Sequence, residues 1–269
     1  MSITSPTDDL LVEQEGHVVT VTMNRPDKRN AWSGDMIHGM AEVWDAIDAD
    51  DSVRVAVLTG GGGNFCAGAD LTAMSASRSS GDDGFADKVG AATAAFRGML
   101  RSKRLSKPLI AAVEGYALAG GTEILQATDI RIAAESAVFG LAEVQRALFP
   151  IGGSTVRLQR QIPYTRAMEI LLTGDRLSAA DALEIGLIGR IVPDGEALKT
   201  ALQIADRIAR NGPLAVQAVL RSARETADLS EEEGLQRELA IGMKVFGTED
   251  AKEGPRAFAE KRDPDYQGR

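Results

Sequence analysis

The 269-residue chain reads as an α/β protein, with a strand-and-helix body over residues 1–195 and an all-helical segment over 196–269. Three observations predict this. Up to about residue 195, short runs rich in valine, isoleucine, alanine and threonine alternate with segments of helical period. From Pro193 the strand signals stop and only helical patterns follow. The rest of the chain is organised around Ile110 to Ile130 (IAAVEGYALAGGTEILQATDI), which passes from buried strand to turn to helix.

In chain order, Leu10 to Gln14 and Val18 to Met23 form a hairpin over a turn at Glu15-Gly16. Asn24-Arg25-Pro26-Asp27 ends the second strand. Lys28-Arg29-Asn30-Ala31-Trp32 then leads into a helix with Ser33 as N-cap and Asp35 in the first turn. Met36, Met40, Val43, Trp44 and Ile47 share one face of it and pack on a core. Val53 to Thr59 is a short apolar strand, and Gly60 to Asn64 is a glycine-rich loop leading to FCAGADL at 65–71. Residues 72–90, rich in Ser, Gly and Asp, have no apolar period and read as a mobile connection. Arg101, Lys103, Arg104 and Lys107 read as a solvated helix end rather than a ligand patch.

Ile110 to Val113 is a buried strand, and a helix starts near Gly120-Gly121 with Glu123 in its first turn. Asp129 to Ala133 and Ala137 to Phe139 give short strands, Glu143 falls on a helical turn, and Leu148 to Gly153 makes a tight loop. Residues 154–190 read as two or three helical pieces, with Leu187 to Val192 a final strand. Helices then span 196–210, 213–226 and 230–246, the last with Leu235, Leu239, Met243 and Phe246 on one face. Gly247 closes that helix and Thr248 caps the next. A helical tail of this size suits packing on a neighbouring subunit.

Composition removes several function classes. With 44% hydrophobic and 26% charged residues the chain is an ordinary globular protein, and a net charge of −9 opposes binding to nucleic acid or an anionic membrane surface. Cys66 is the single cysteine, so an intrachain disulfide is excluded and a reducing, cytoplasmic setting is expected. MSITSPTDDL has no basic stretch followed by an apolar run, so no secretory signal is expected there, and no run of eighteen apolar residues predicts a membrane span. The two histidines, His17 and His38, both read as structural. A metal site or a serine–histidine–aspartate triad is therefore not expected, which leaves carboxylates for acid–base work.

Gly120 and Gly121 lack a Cβ, so a ligand atom can approach their N–H groups where a helix start favours negative charge. Glu123 either complements that helix dipole or belongs to the site. A phosphate loop is excluded, because Gly121 stands where the essential lysine would be. Three loops end in small residues able to present N–H groups: Gly68-Ala69, Gly120-Gly121 and Gly152-Gly153.

At these loops the chain resembles the crotonase superfamily, the enoyl-CoA hydratase/isomerase fold. The matching pieces are NRPDKRNA at 24–31, NFCAGADL at 64–71, EGYALAGGTEI at 114–124, FGLAEV at 139–144, FPIGGS at 149–154 and EDAKEGPRAFAEKR in the tail. Each is weak alone; their joint order and spacing are specific. The resemblance implies a spiral of ββα units with a helical C-terminal region, assembled as a homotrimer or homohexamer. It implies an oxyanion hole from the N–H groups of Ala69 and Gly120 for a thioester carbonyl. Arg25, Lys28, Arg29 and Lys261 would meet the coenzyme A phosphates. Ala31, Gly68, Asp70, Leu71, Gly121 and Pro150 would line the substrate path. No permanently bound cofactor is implied, since coenzyme A arrives as part of the acyl-CoA.

Hydratases of this superfamily resemble one another in carrying two glutamates, one after the double-glycine turn and one about twenty residues on. This chain has Glu123 and Glu143 at those places. Hydration needs attack at C3 and a proton at C2, tasks that two carboxyl groups around one water can divide. The implied activity is enoyl-CoA hydration in acyl-CoA degradation, with Glu143 as proton donor. An isomerase, which manages with one carboxylate, and a silent acyl-CoA binder are the alternatives, and neither needs both glutamates. Two features depart from the pattern or leave it unread. Pro255 stands where relatives continue a helix and is expected to kink it. The 72–95 connection flanks the acyl pocket and leaves room for a bulky, steroid-like acyl group.

Overall fold

The computed structural model describes residues 3–70, 93 and 95–269, so the 72–90 connection and Leu71 lie outside the described residues. The first hairpin, β1 (Leu10–Glu15) and β2 (Val18–Met23), opens a six-stranded sheet. It continues with β3 (Val55–Gly60) and β4 (Leu109–Val113). After β4 the chain makes the short β5 (Tyr116–Leu118), which belongs to a second sheet, before the helix α2 (Gly120–Leu125). The next turn repeats the pattern, with β6 (Ile130–Ala134) in the first sheet and β7 (Val138–Gly140) in the second. β8 (Arg176–Ser178) closes the second sheet against β7, and β9 (Arg190–Val192) closes the first against β6. Apart from the β1–β2 and β7–β8 pairs, all the pairings are parallel.

Strands β3 and β4 are apolar on both faces because both are covered. Ala56 and Leu58 face the main core with Trp44 and Phe65, whereas Val55, Val57, Ile110 and Ile132 face the other way. Against that second face lies α6 (Ala197–Ala209), whose Ala197, Ala201, Ala205 and Ala209 present a small-residue stripe every fourth position. Such a stripe lets the helix approach the sheet closely. The first helix of the all-helical segment is therefore part of the body's packing.

On the main-core side, α1 (Gly34–Ala49) is capped by the Ser33 hydroxyl, which accepts from the Met36 N–H at 3.0 Å. Its expected face of Met36, Met40, Val43, Trp44 and Ile47 is buried. Helices α3 (Ser154–Gln161), α4 (Tyr164–Thr173) and α5 (Ala179–Glu184) follow the second sheet. The tail continues with α7 (Pro213–Glu225), α8 (Glu231–Phe246) and α9 (Glu249–Glu260).

Three expectations are corrected. β5 and β8 were read as a turn and as helix; at three residues each they are too short to show a period. Lys107 does not sit at a solvated helix end: it is 2% exposed, and its ammonium donates to the carbonyls of Ile47 (2.7 Å) and Asp50. It thereby satisfies the open C-terminal carbonyls of α1. The helix with Pro255 runs on to Glu260. The apolar stripe of α8 is one face, as expected, but that face is exposed in the single chain, with Phe246 at 76%.

Candidate active site

The site lies where the segment after β3 meets the start of α2. Cys66 pairs with β5, its N–H donating to the Tyr116 carbonyl at 2.8 Å and its own carbonyl accepting from Leu118 at 2.9 Å. Burial pushes the Cys66 thiol up to about 12, so it stays protonated, and its Sγ accepts the Gly68 N–H at 3.4 Å. Two residues on, Ala69 bridges to Trp32. Trp32 donates to the Gly68 carbonyl (2.8 Å), and its own carbonyl accepts from Asp70 (3.3 Å). In a parallel bridge of this kind the residue between the two bonded neighbours turns its own N–H away from the partner strand. Ala69 is that residue, and it lines the cavity beside it.

Gly120 supplies the second N–H. It is the first residue of α2, so helix geometry leaves its N–H without an intrahelical acceptor. Ala119, just before it, has φ 49° and ψ −122°, a conformation L-residues rarely adopt and one associated with functional turns. The Ala119 N–H is fixed on the Gly140 carbonyl at 2.8 Å. The glycines here are required by space: a Cβ on Gly120 would lie 2.6 Å from Trp32 Cζ3, and one on Gly121 2.3 Å from the Cys66 carbonyl oxygen. Gly68 has φ +92°, and a Cβ on it would lie 2.7 Å from Ala119 Cβ and 3.3 Å from Gly120 N. The two N–H-presenting segments are thus in direct contact.

These residues open on a cavity of about 440 Å³. Ala69 and Gly120 lie in its wall together with Glu123 and Glu143, while Ile37, Met99, Leu118, Leu148, Phe149 and Ile151 supply apolar surface. Glu123 is 3% exposed, and its Oε1 accepts the Ser154 N–H at 3.3 Å. Burial raises its pKa, and the N–H groups of Ser154, Gly152 and Gly153 with the Ser154 hydroxyl oppose the rise without cancelling it. The Gly152-Gly153 loop therefore presents its N–H groups to a glutamate. Glu143 precedes the 3-10 turn Val144–Arg146, and its Oε2 is buried with no hydrogen-bond partner. Burial first, and the charge of Glu123 in addition, push its carboxyl up to about 7, against the lowering effect of its own backbone N–H and of Arg146. The two carboxyls form a coupled pair in which Glu143 is poised to hold a proton near neutrality.

The other expected residues are distributed differently. Asp70 lies beside Ala69 and takes Arg25 at 3.3 Å; Arg25 also reaches Asp9 (3.6 Å) and the Ala31 carbonyl (2.6 Å). Its guanidinium is thus engaged in tying the entry segment together. Lys28 and Lys261 are exposed, Arg29 stacks on Tyr116 at 5.2 Å, and Pro150 is buried between the cavity residues Phe149 and Ile151. Lys261 caps α9 and is not among the residues lining the cavity of the single chain. Sequence reasoning missed Trp32 and Met99, apolar lining residues that sequence patterns do not distinguish from core. Among the described residues no group of three or more His, Cys, Asp or Glu could hold a metal.

A profile of the enoyl-CoA hydratase/isomerase family matches residues 13–269. The chain is 56% identical over 261 residues to enoyl-CoA hydratase EchA19 of Mycobacterium tuberculosis, covering 97% of each chain. It is 40% identical to carnitinyl-CoA dehydratase of Proteus mirabilis, covering 94% of this chain and 96% of the relative. Among solved structures, an enoyl-CoA hydratase from Bacillus anthracis superposes with a TM-score of 0.89 at 37% identity, covering 97% of this chain and all of the other.

Proposed function

We infer the reaction from membership: the chain belongs to the enoyl-CoA hydratase/isomerase family, and its cavity carries the groups that hydration of a 2-enoyl-CoA thioester requires. It is an enoyl-CoA hydratase, adding water reversibly across the 2,3 double bond to give a 3-hydroxyacyl-CoA. The observation that carries this reading is that Glu123 and Glu143 line one cavity together with Ala69 and Gly120.

In the proposed mechanism the thioester carbonyl accepts from Ala69 and Gly120, so the negative charge that builds on its oxygen during attack at C3 meets fixed donors. Each such donor contributes about 3–4 kcal/mol of transition-state stabilisation. A water held between the carboxyls attacks C3 as Glu123 takes the proton it loses. Glu143 delivers its proton to C2, and exchange between the pair and solvent restores the starting state. The acyl chain lies along Ile37, Met99, Leu148 and Ile151. Lys28, Arg29 and Lys261 meet the coenzyme A phosphates, Lys261 from the tail, and Ala31, Gly68, Asp70, Leu71, Gly121 and Pro150 shape the path.

Residues 1–195 carry the chemistry and 196–269 serve assembly, with α6 joining them. The exposed face Leu235, Leu239, Met243 and Phe246, with Phe258 at 87% exposure, supports a homotrimer or a homohexamer built from trimers. The protein works in the cytoplasm without a permanently bound cofactor. Among the described residues no helix is long and apolar enough to cross a membrane. The test is the loss of enoyl absorbance with a short 2-enoyl-CoA. Wild type consumes the band, whereas an enzyme that leaves it unchanged with short, long and ring-bearing enoyl-CoAs contradicts the reading.

A further inference from the structure

Two walls of the cavity meet behind Glu123. One is the turn at Met99–Arg101, where the chain leaves the helical residues 95–98. Leu100 is fully buried at φ 54°, a left-handed position usually taken by glycine at a helix end. The other wall is the Ile151–Ser154 loop, which donates to the Glu123 carboxylate. Two arginines cross between these walls in opposite directions. Arg101 Nε donates to the Ile151 carbonyl at 2.7 Å. Arg157, one turn into α3, sends Nη2 back to the carbonyls of Leu100 (2.6 Å) and Arg101 (3.2 Å).

The Arg157 side chain runs under the loop, since a Cβ on Gly153 would lie 3.5 Å from its Nε. Its Nη1 is buried with no hydrogen-bond partner, an arrangement that costs free energy unless a charge nearby offsets it. Burial first, and then Arg104, Arg101 and Arg224, lower the pKa of Arg157 to about 10, while Glu123 acts in the opposite sense. Glu123 is the one carboxylate among them.

We infer that Arg157 is a positioning residue, fastening the Met99–Arg101 turn to the Gly152–Ser154 loop and so holding the loop's N–H groups on the Glu123 carboxylate beside the reacting water. The role rests on the hydratase reading for its consequence and on the geometry above for its existence. Both bonds come from Nη2, so one nitrogen at the end of a long planar side chain ties two consecutive carbonyls, a reach the shorter lysine does not match.

The experiment compares wild type with Arg157→Met and Arg157→Lys, each checked for fold and oligomeric state. For Arg157→Met, kcat falls by about 10- to 100-fold with KM changed much less, as expected when orientation is lost and binding is kept. Its acid limb of kcat/KM moves to higher pH, because the Gly152–Ser154 N–H groups that ease Glu123 ionisation are no longer held on the carboxylate. For Arg157→Lys, which keeps a donor of shorter reach, kcat and the acid limb lie between those of wild type and Arg157→Met. A direct carboxyl titration by infrared difference spectroscopy, with Glu123→Gln to assign the band, reads the same shift without turnover. If wild type hydrates no enoyl-CoA, the hydratase reading fails, and the infrared shift still decides the clamp. Should Arg157→Met fail to fold, Arg157→Lys alone decides, since wild-type kcat and acid limb in that variant overturn the inference. Unchanged kcat, acid limb and Glu123 titration in a folded Arg157→Met, with only a lower melting temperature, overturns the inference.

Discussion

Glu123 and Glu143 stand in the cavity wall, the first buried and the second half-buried; loop N–H groups ease the charge of Glu123, and its own N–H and Arg146 that of Glu143. Glu253, in α9, receives Arg262 at 2.5 Å, Arg256 on its other oxygen and the Asp265 N–H at 3.1 Å. Hydrogen bonds from Arg262, then from the Asp265 N–H and Arg256, hold the Glu253 carboxyl well below the usual carboxylate range, whereas burial lifts both cavity glutamates above it. One residue type thus serves two ends. Where the fold supplies arginines to both oxygens it makes a permanent ion that locks the tail to the chain end. Where it withholds them it makes an acid that can give and take a proton.

The contrast can be broken from the catalytic side first. Glu143→Gln removes the proton donor and is expected to lower kcat for hydration by about 10³- to 10⁴-fold with little change in KM, measured by loss of enoyl absorbance. A smaller loss, about 100-fold in kcat, is expected for Gly68→Ala. There the new Cβ would lie 2.7 Å from Ala119 Cβ at φ +92°, forcing apart the segments that aim Ala69 and Gly120.

Acidity gives the third test. Hydration requires protonated Glu143, so its rate falls as pH rises through about 7. In Glu123→Gln the negative neighbour is gone, so Glu143 ionises more readily. Its titration, followed by carbon-13 NMR of the labelled carboxyl, should then move to lower pH. It should remain above the ordinary glutamate value, because burial is the larger cause.

Glu253→Gln is expected to leave kcat per folded site unchanged and to lower the melting temperature at neutral pH. A carboxyl depressed in the folded state contributes stability above its unfolded pKa, and that contribution is lost as pH falls through the folded value. The difference in melting temperature between wild type and Glu253→Gln should therefore shrink in strong acid. Equal differences at both pH values would remove the tail glutamate from the comparison.

Much of the site was legible because its constraints are steric and local. Gly68, Gly120 and Gly121 stand where a Cβ would collide, and Glu123 follows at fixed helical spacing. Glu143 was legible only through its distance from Glu123 within a known pattern, since a glutamate on a short turn otherwise reads as surface. The buried strands were legible from their apolar runs, while the three-residue β5 and β8 left no period to read. Lys107 misled because a lysine in a basic run reads as solvated, yet here its Nζ closes the end of a helix distant in sequence. Arg25 and Arg157 illustrate the same gap: the partners that define their tasks come from distant segments, and side-chain type alone does not name them.

The most direct test of the two-carboxylate account is product analysis in heavy-oxygen water with a short 2-enoyl-CoA, for wild type and Glu143→Gln. The account predicts that wild type places one solvent oxygen on C3 per turnover, and that the variant forms almost no labelled product while still binding the thioester. Labelled product from Glu143→Gln at the wild-type rate, or an isomer of unchanged mass from wild type, would contradict it.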